Sequence, residues 1–158
     1  MLEGKNDYYT LNYFQDVILA LTKKTNLLPG MGSGHLDTAI KLYFAWGREF
    51  IIILDSDRAG KREKDRYISE FGIKIGNRIF TLHDINSKWN NHRLEDLIET
   101  NEKVEFQKLS YPDSVSYSKD HFNRSIQEQY LKNNKYEFSN EVIKHFSLIF
   151  AYINSKLK

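Results

Sequence analysis

Two pairs of acids are the residues of this sequence best suited to chemistry. Asp55 and Asp57 close the run IIILDSDRAGK, residues 51 to 61, and Glu3 and Asp7 bracket Gly4 in LEGKND, residues 2 to 7. Side chains two apart on an extended chain point to one side, so Asp55 and Asp57 would present their carboxylates together at a strand end. Acids that close resist joint ionisation unless a cation lies between them. Hard divalent ions such as Mg²⁺ accept one or two carboxylates together with water and phosphate oxygens. The simpler reading of Asp57 is a helix N-cap, because a helix follows it and carboxylates favour that end of the dipole. Glu3 and Asp7 are four apart, a spacing at which side chains can converge. If their strand neighbours that of Asp55, as in doubly wound sheets, both pairs meet in one crevice at the carboxyl ends of the strands. Four carboxylates gathered there without cations would repel one another.

The elements that must position these acids can be read from hydrophobic spacing. Leu11, Phe14, Ile18 and Leu21 recur at helical intervals and predict a helix from about 7 to 23, with Asn6 or Asp7 as its cap. A short strand at 26–28 and a Pro-Gly turn follow, then GMGSGH (30–35) and a helix with Leu36, Ile40 and Phe44 on one face. EFIIILDSD is a strand, DRAGKREKDRYISEFG a charged helix ending at Gly72, and RIFTL another strand. This alternation predicts an α/β domain with a largely parallel sheet. Beyond residue 90 a short helix covers NHRLEDLIET, 101 to 116 reads as irregular around Pro112, and two helices follow over 119–132 and 139–156. Phe122, Ile126 and Tyr130 share a face of the first, and Val142, Phe146, Ile149 and Ile153 a face of the second.

Composition narrows the classes without choosing among them. A chain of 158 residues, 41% hydrophobic, can bury one substantial core. A net charge of +2 makes any nucleic-acid contact a matter of local patches. The absence of cysteine excludes disulfide scaffolds, thiolate metal sites and cysteine nucleophiles. No membrane span or signal peptide is evident, so a soluble, cytoplasmic protein is expected. The histidines 35, 83, 92, 121 and 145 show no ligand spacing. GMGSGH precedes a helix and is rich in glycine, but it lacks the lysine and hydroxyl residue of a Walker A loop.

With these residues in view, LEGKND followed some fifty residues later by LDSDRAG resembles the paired glutamate and DxD motifs of a TOPRIM domain. The intervening LLPGMGSGHLDTAIKLYFAWGREFIIILDSD is similar to the C-terminal TOPRIM half of OLD-family (overcoming lysogenization defect) nucleases, which usually carry an ABC-type ATPase half before it. The resemblance covers residues 2 to about 100. It implies a Rossmann-like TOPRIM fold, with a mostly parallel central sheet flanked by helices over 1–100 and a C-terminal helical extension over 101–158 packed on it. Only Met1 and Leu2 precede Glu3, so the first strand is expected to be truncated, as in a fragment of a longer chain or half of a split system.

The same resemblance implies that Glu3, Asp7, Asp55 and Asp57 are metal ligands, with Glu3 also the acid-base residue. It places Glu95, with Asp96 beside it, at a second metal position, and Lys119 where charge on the scissile phosphate is stabilised. Two Mg²⁺ or Mn²⁺ ions and hydrolysis of DNA phosphodiester bonds follow from it, with phage defence as the setting. Arg58 and Lys61, in the basic run after the DxD, are candidates for the DNA backbone, although interleaved Glu63 and Asp65 also suit helical charge pairs. An ATPase partner and a homo-oligomer are both compatible with the resemblance. Two other classes share the acidic motifs. One is a catalytically impaired TOPRIM module that binds DNA or an ATPase partner, and the other is a primase- or topoisomerase-type TOPRIM. None of the ten tyrosines stands in a recognisable nucleophile motif.

Overall fold

The computed structural model describes residues 1–30 and 36–157, so most of the GMGSGH stretch, including His35, lies outside the described residues. The architecture is α-rich around a small parallel sheet and is compatible with the α/β class. Strand β1 (Ile52–Leu54) pairs in parallel with β2 (Ile79–Thr81), Ile53 opposite Phe80. On the other edge of β1, Leu2 forms an isolated parallel bridge to Ile53, the N–H of Ile53 donating to Met1 O at 3.0 Å. The segment before Glu3 therefore lies beside β1. The mostly parallel central sheet expected from the sequence is represented by these two strands and that bridge.

Alternation along β1 divides the interior in two. Ile51 and Ile53 join Leu2 in a larger core with α1 (Lys5–Tyr13), α7 (Lys119–Leu131) and α8 (Asn140–Lys156). Ile52 and Leu54 face a smaller core built on α2 (Leu36–Ala45), α3 (Arg58–Phe71) and β2. A strand covered on both faces needs an unbroken aliphatic run, which is why 51–54 reads Ile-Ile-Ile-Leu.

Several elements depart from their expected bounds. Helix α1 is capped by Gly4, whose N–H donates to the Asp7 carboxylate at 3.0 Å, so Asp7 closes the cap from inside the first turn. The helix widens into a π-turn over Phe14–Ile18 and stops short of residue 23, because Ala20 takes a left-handed φ of 46°. Residues 26–28 form no strand; they contribute one main-chain bond, Leu2 N–H to Leu28 O at 3.0 Å. The α4 turn (Ile73–Gly76) leads into β2, and the α5 turn (Leu82–Ile85) follows it. NHRLEDLIET makes a 3₁₀ turn at Leu94–Leu97 in place of a short α-helix, and helix α6 (Thr100–Gln107) occupies part of the stretch expected to be irregular. Among the described residues no helix is long and apolar enough to cross a membrane.

Candidate functional site

The acids meet where β1 and the Leu2 bridge end. Glu3 follows Leu2 directly, and Asp55 follows β1, so parallel pairing carries both side chains to the same end of the sheet. Two glycines permit the close packing around them. A Cβ at Gly60 would stand 2.1 Å from Asp55 O, and one at Gly30 2.2 Å from Glu3 O, so a side chain at either position would displace main chain. Gly60 lets the first turn of α3 settle onto Asp55, while Gly30 lets the returning chain cross Glu3.

An open cavity of about 560 Å³ lies here, lined by Glu3, Asp7, Asp55, Glu63, Glu95 and Lys119, with Lys5 and Arg62 also on its wall. The acids lie within electrostatic reach of one another. Burial, then the charges of Asp7 and Glu3, push the Asp55 carboxyl up to about 8, although the Leu94 N–H it accepts at 3.0 Å pulls it down. Burial pushes Asp7 up to about 6, with Glu3 and Glu95 adding to the rise and the Gly4 N–H opposing it. Glu3 is raised by burial as well, opposed by the Asp55 N–H and reinforced by Asp57 and Glu63. Crowded, desolvated carboxylates hold their protons, and this is the condition a cation relieves.

Asp57 stands apart. One carboxylate oxygen accepts the N–H groups of Ala59 and Gly60, both at 2.9 Å, so it caps α3; the other pairs with Arg93 Nε at 3.0 Å. Burial alone would raise its pKa, but these bonds outweigh it and hold the carboxyl below the usual range. The N-cap reading of Asp57 is thus realised in the fold, and a metal at its second oxygen would have to displace Arg93.

Glu95, on the 3₁₀ turn, pairs with Lys119 at 2.6 Å, and these two residues close the far side of the cavity. Asp96 turns away to accept the N–H of Arg93 at 2.8 Å. Of the basic residues after the DxD, Lys61 is engaged by Asn90 and Asn91 at 2.8 and 3.1 Å, and Arg58 is exposed off the cavity wall. Arg62 is the member of that run on the wall.

Three further residues contribute that were not among the expected site residues. Ser56, fully buried between the two acids, donates its main-chain N–H to His92 O and accepts the His92 N–H at Oγ, while its hydroxyl donates to Trp89 O, stitching the strand end to loop 89–94. Arg93 secures the same loop through Asp57. Glu63 enters the cavity from α3, where Ala59, Arg62, Glu63 and Arg66 form one i, i+3, i+4, i+7 stripe; that stripe is a signal the sequence did carry.

The donor set is all oxygen, the kind that hard divalent cations take. Glu3 Oε2 is buried and meets no hydrogen-bond donor among the described residues, which leaves a lone pair for an ion. The carboxylates line the cavity without closing on one point: among the described residues no group of three or more His, Asp or Glu side chains is gathered tightly enough to hold a metal as it stands. The lining thus offers oxygen donors of the type a divalent ion takes, in an arrangement that does not form a metal site as it stands. A larger cavity of about 620 Å³, beside residues 23–28 and the end of α8, has Glu49 as its one acid among the described residues, and Arg78 pairs with that acid at 2.8 Å. A scan against protein-family models finds no match, and searches of curated proteins and of solved structures find no significant one.

Proposed function

We propose that the chain is the nuclease domain of a divalent-metal-dependent endonuclease that hydrolyses DNA phosphodiester bonds. In this reading Leu2–Glu3, β1 and β2 are the parallel centre of a TOPRIM-type core related to that of OLD-family nucleases. One observation carries it: acids from three distant segments, Glu3 with Asp7, Asp55, and Glu95, line a single open cavity together with Lys119.

Glu3, Asp7, Asp55 and Glu95 are the residues that would hold Mg²⁺ or Mn²⁺, joined by Asp57 if Arg93 gives way. A pair of such ions supplies an ionised water as nucleophile and neutralises the leaving oxygen. The chain's own contribution is placement and charge. Lys119, its side chain about half exposed at the cavity, suits the negative charge that grows on the scissile phosphate. Arg62 and Lys5 on the wall suit the backbone of the bound strand, contacts that are salt-sensitive and blind to sequence. Glu3 Oε2, buried and without a hydrogen-bond donor among the described residues, is the oxygen whose charge an ion would meet.

The test is a nicking assay on supercoiled plasmid with Mg²⁺ or Mn²⁺. Wild type is expected to give nicked or linear product, and Asp55→Ala and Glu3→Ala to lose at least 100-fold in rate, the scale of removing a principal charge-stabilising group. Product that persists in both variants, or that forms equally well with a chelator present, would refute the reading.

A second reading, a TOPRIM module that binds DNA or an ATPase partner without cutting, draws on the Arg93–Asp57 pair, which occupies an oxygen expected for metal. Mn²⁺ binding without product would favour it. Strand transfer of the topoisomerase kind finds less support, since no tyrosine lines the cavity among the described residues.

A further inference from the structure

Helix α6 buries polar residues where a core helix ordinarily carries apolar ones. Lys103 and Gln107, one helical turn apart, are 5% and 0% exposed. Burying an ammonium group is costly unless its charge is met. Among the described residues no carboxylate pairs with Lys103; it donates to the main-chain oxygen of Glu95 at 3.1 Å and lies 4.6 Å from the centre of the Tyr117 ring. Gln107 uses both ends of its amide on the chain that leads into α7. Its Nε2 donates to Ser116 O at 2.6 Å, and its Oε1 accepts the Ser118 N–H at 3.1 Å. Ser118 is the N-cap of α7, and Lys119 is the first residue of that helix.

The two buried side chains thus grip the main chain at Glu95 and immediately before Lys119, whose own side chains meet at 2.6 Å over the cavity. Stability alone does not call for this arrangement, because apolar residues of similar volume often replace buried charges without loss. We infer that α6 is the template of the Lys119–Glu95 pair, with Lys103 and Gln107 as positioning residues that set where this cation and this carboxylate stand in the cavity. Its bearing on catalysis rests on the nuclease reading above; its geometric content does not. Partners that orient a metal-binding side chain from behind commonly change metal affinity 10- to 100-fold when removed, and a change of that size is the expected consequence here.

The experiment uses the full chain with Lys103→Met and Gln107→Met, and with Ile126→Val as a control that trims a fully buried residue elsewhere in the same core. Two quantities are read: Mn²⁺ affinity by calorimetry, and the nuclear Overhauser contact between the Lys119 Hε and Glu95 Hγ protons. Both methionine variants are expected to lose the contact and to bind Mn²⁺ about 10- to 100-fold more weakly, while Ile126→Val changes neither. Lys103→Arg, which keeps the donor to Glu95 O, is expected to restore the contact. If wild type binds no Mn²⁺, the nuclease reading fails and the proton contact still decides: its loss in the variants supports the template, and its persistence overturns it. Where Mn²⁺ does bind, a contact retained in both methionine variants overturns it as well, whatever their Mn²⁺ affinity. Should a methionine variant not fold, Lys103→Thr and Gln107→Ser, polar side chains too short to reach Glu95 O and the Ser118 N–H, are read in the same way.

Discussion

Asp55 carries the electrostatic cost of the site in the metal-free protein. Its carboxyl is pushed up to about 8 from an ordinary 3.8 by burial first and by Asp7 and Glu3 next. A folded-state pKa above the unfolded one means that ionisation works against the fold, so this contribution is favourable below about pH 4 and is lost as pH rises towards 8. Metal-free wild type is therefore expected to melt below Asp55→Asn by a margin that widens between pH 5 and pH 8. Asp55→Asn should gain on the order of 1–3 kcal/mol at pH 8, since one pKa unit is worth about 1.4 kcal/mol and relaxation absorbs part of the shift. Thermal denaturation of the two proteins, with a chelator and separately with added Mn²⁺, checks this; a difference that does not change with pH would mean that the carboxylates are not crowded. Mn²⁺ should raise the melting temperature of wild type more than that of Asp55→Asn. Glu3, Asp7 and Asp55 were legible in the sequence because residue type and short spacing mark them. Ser56 and Arg93 were not, since their roles arise from bonds to residues 33 to 36 positions away.

At the scale of elements, the approach of α3 to β1 is fixed by the missing side chain of Gly60, where a Cβ would lie 2.1 Å from Asp55 O. Gly60→Ala is expected to destabilise the protein by about 2–3 kcal/mol, the upper part of the overpacking range, and to weaken Mn²⁺ binding by shifting Asp55. Gly47→Ala, with no atom within 4 Å of the new Cβ, is the comparison that isolates crowding from the strain of a positive φ. Urea unfolding of the pair separates the two effects. Helices α3, α7 and α8 were legible because caps and apolar spacing agree, as in Asp57 with Gly72 or Ser139 ahead of Val142, Phe146 and Ile153. Helix α6 was hidden because two of its buried positions are Lys103 and Gln107, so hydrophobic period gives no sign of it. The end of α1 was misplaced because the pattern continues through Leu21, while the backbone reverses at Ala20.

At the scale of the whole molecule, β1 is the wall between two cores, with Ile51 and Ile53 on one side and Ile52 and Leu54 on the other. Damage in either core is transmitted to the strand that carries Asp55. Phe146, fully buried and stacked on Phe14 with ring centres 3.5 Å apart, lies well away in sequence from the acids. Phe146→Ala is expected to cost about 3–5 kcal/mol, and to do so in one cooperative transition in which tryptophan fluorescence and far-ultraviolet dichroism coincide. Two separated transitions would mean that the C-terminal helices unfold apart from the sheet. The alternation along β1 also fixes how the chain can change in length. One residue gained or lost between Phe50 and Asp55 would exchange the two buried faces of the strand, send each aliphatic into the other compartment and turn the carboxylate to the opposite face. Exchange among aliphatics of similar volume is therefore open to this segment, whereas insertion and deletion are closed to it.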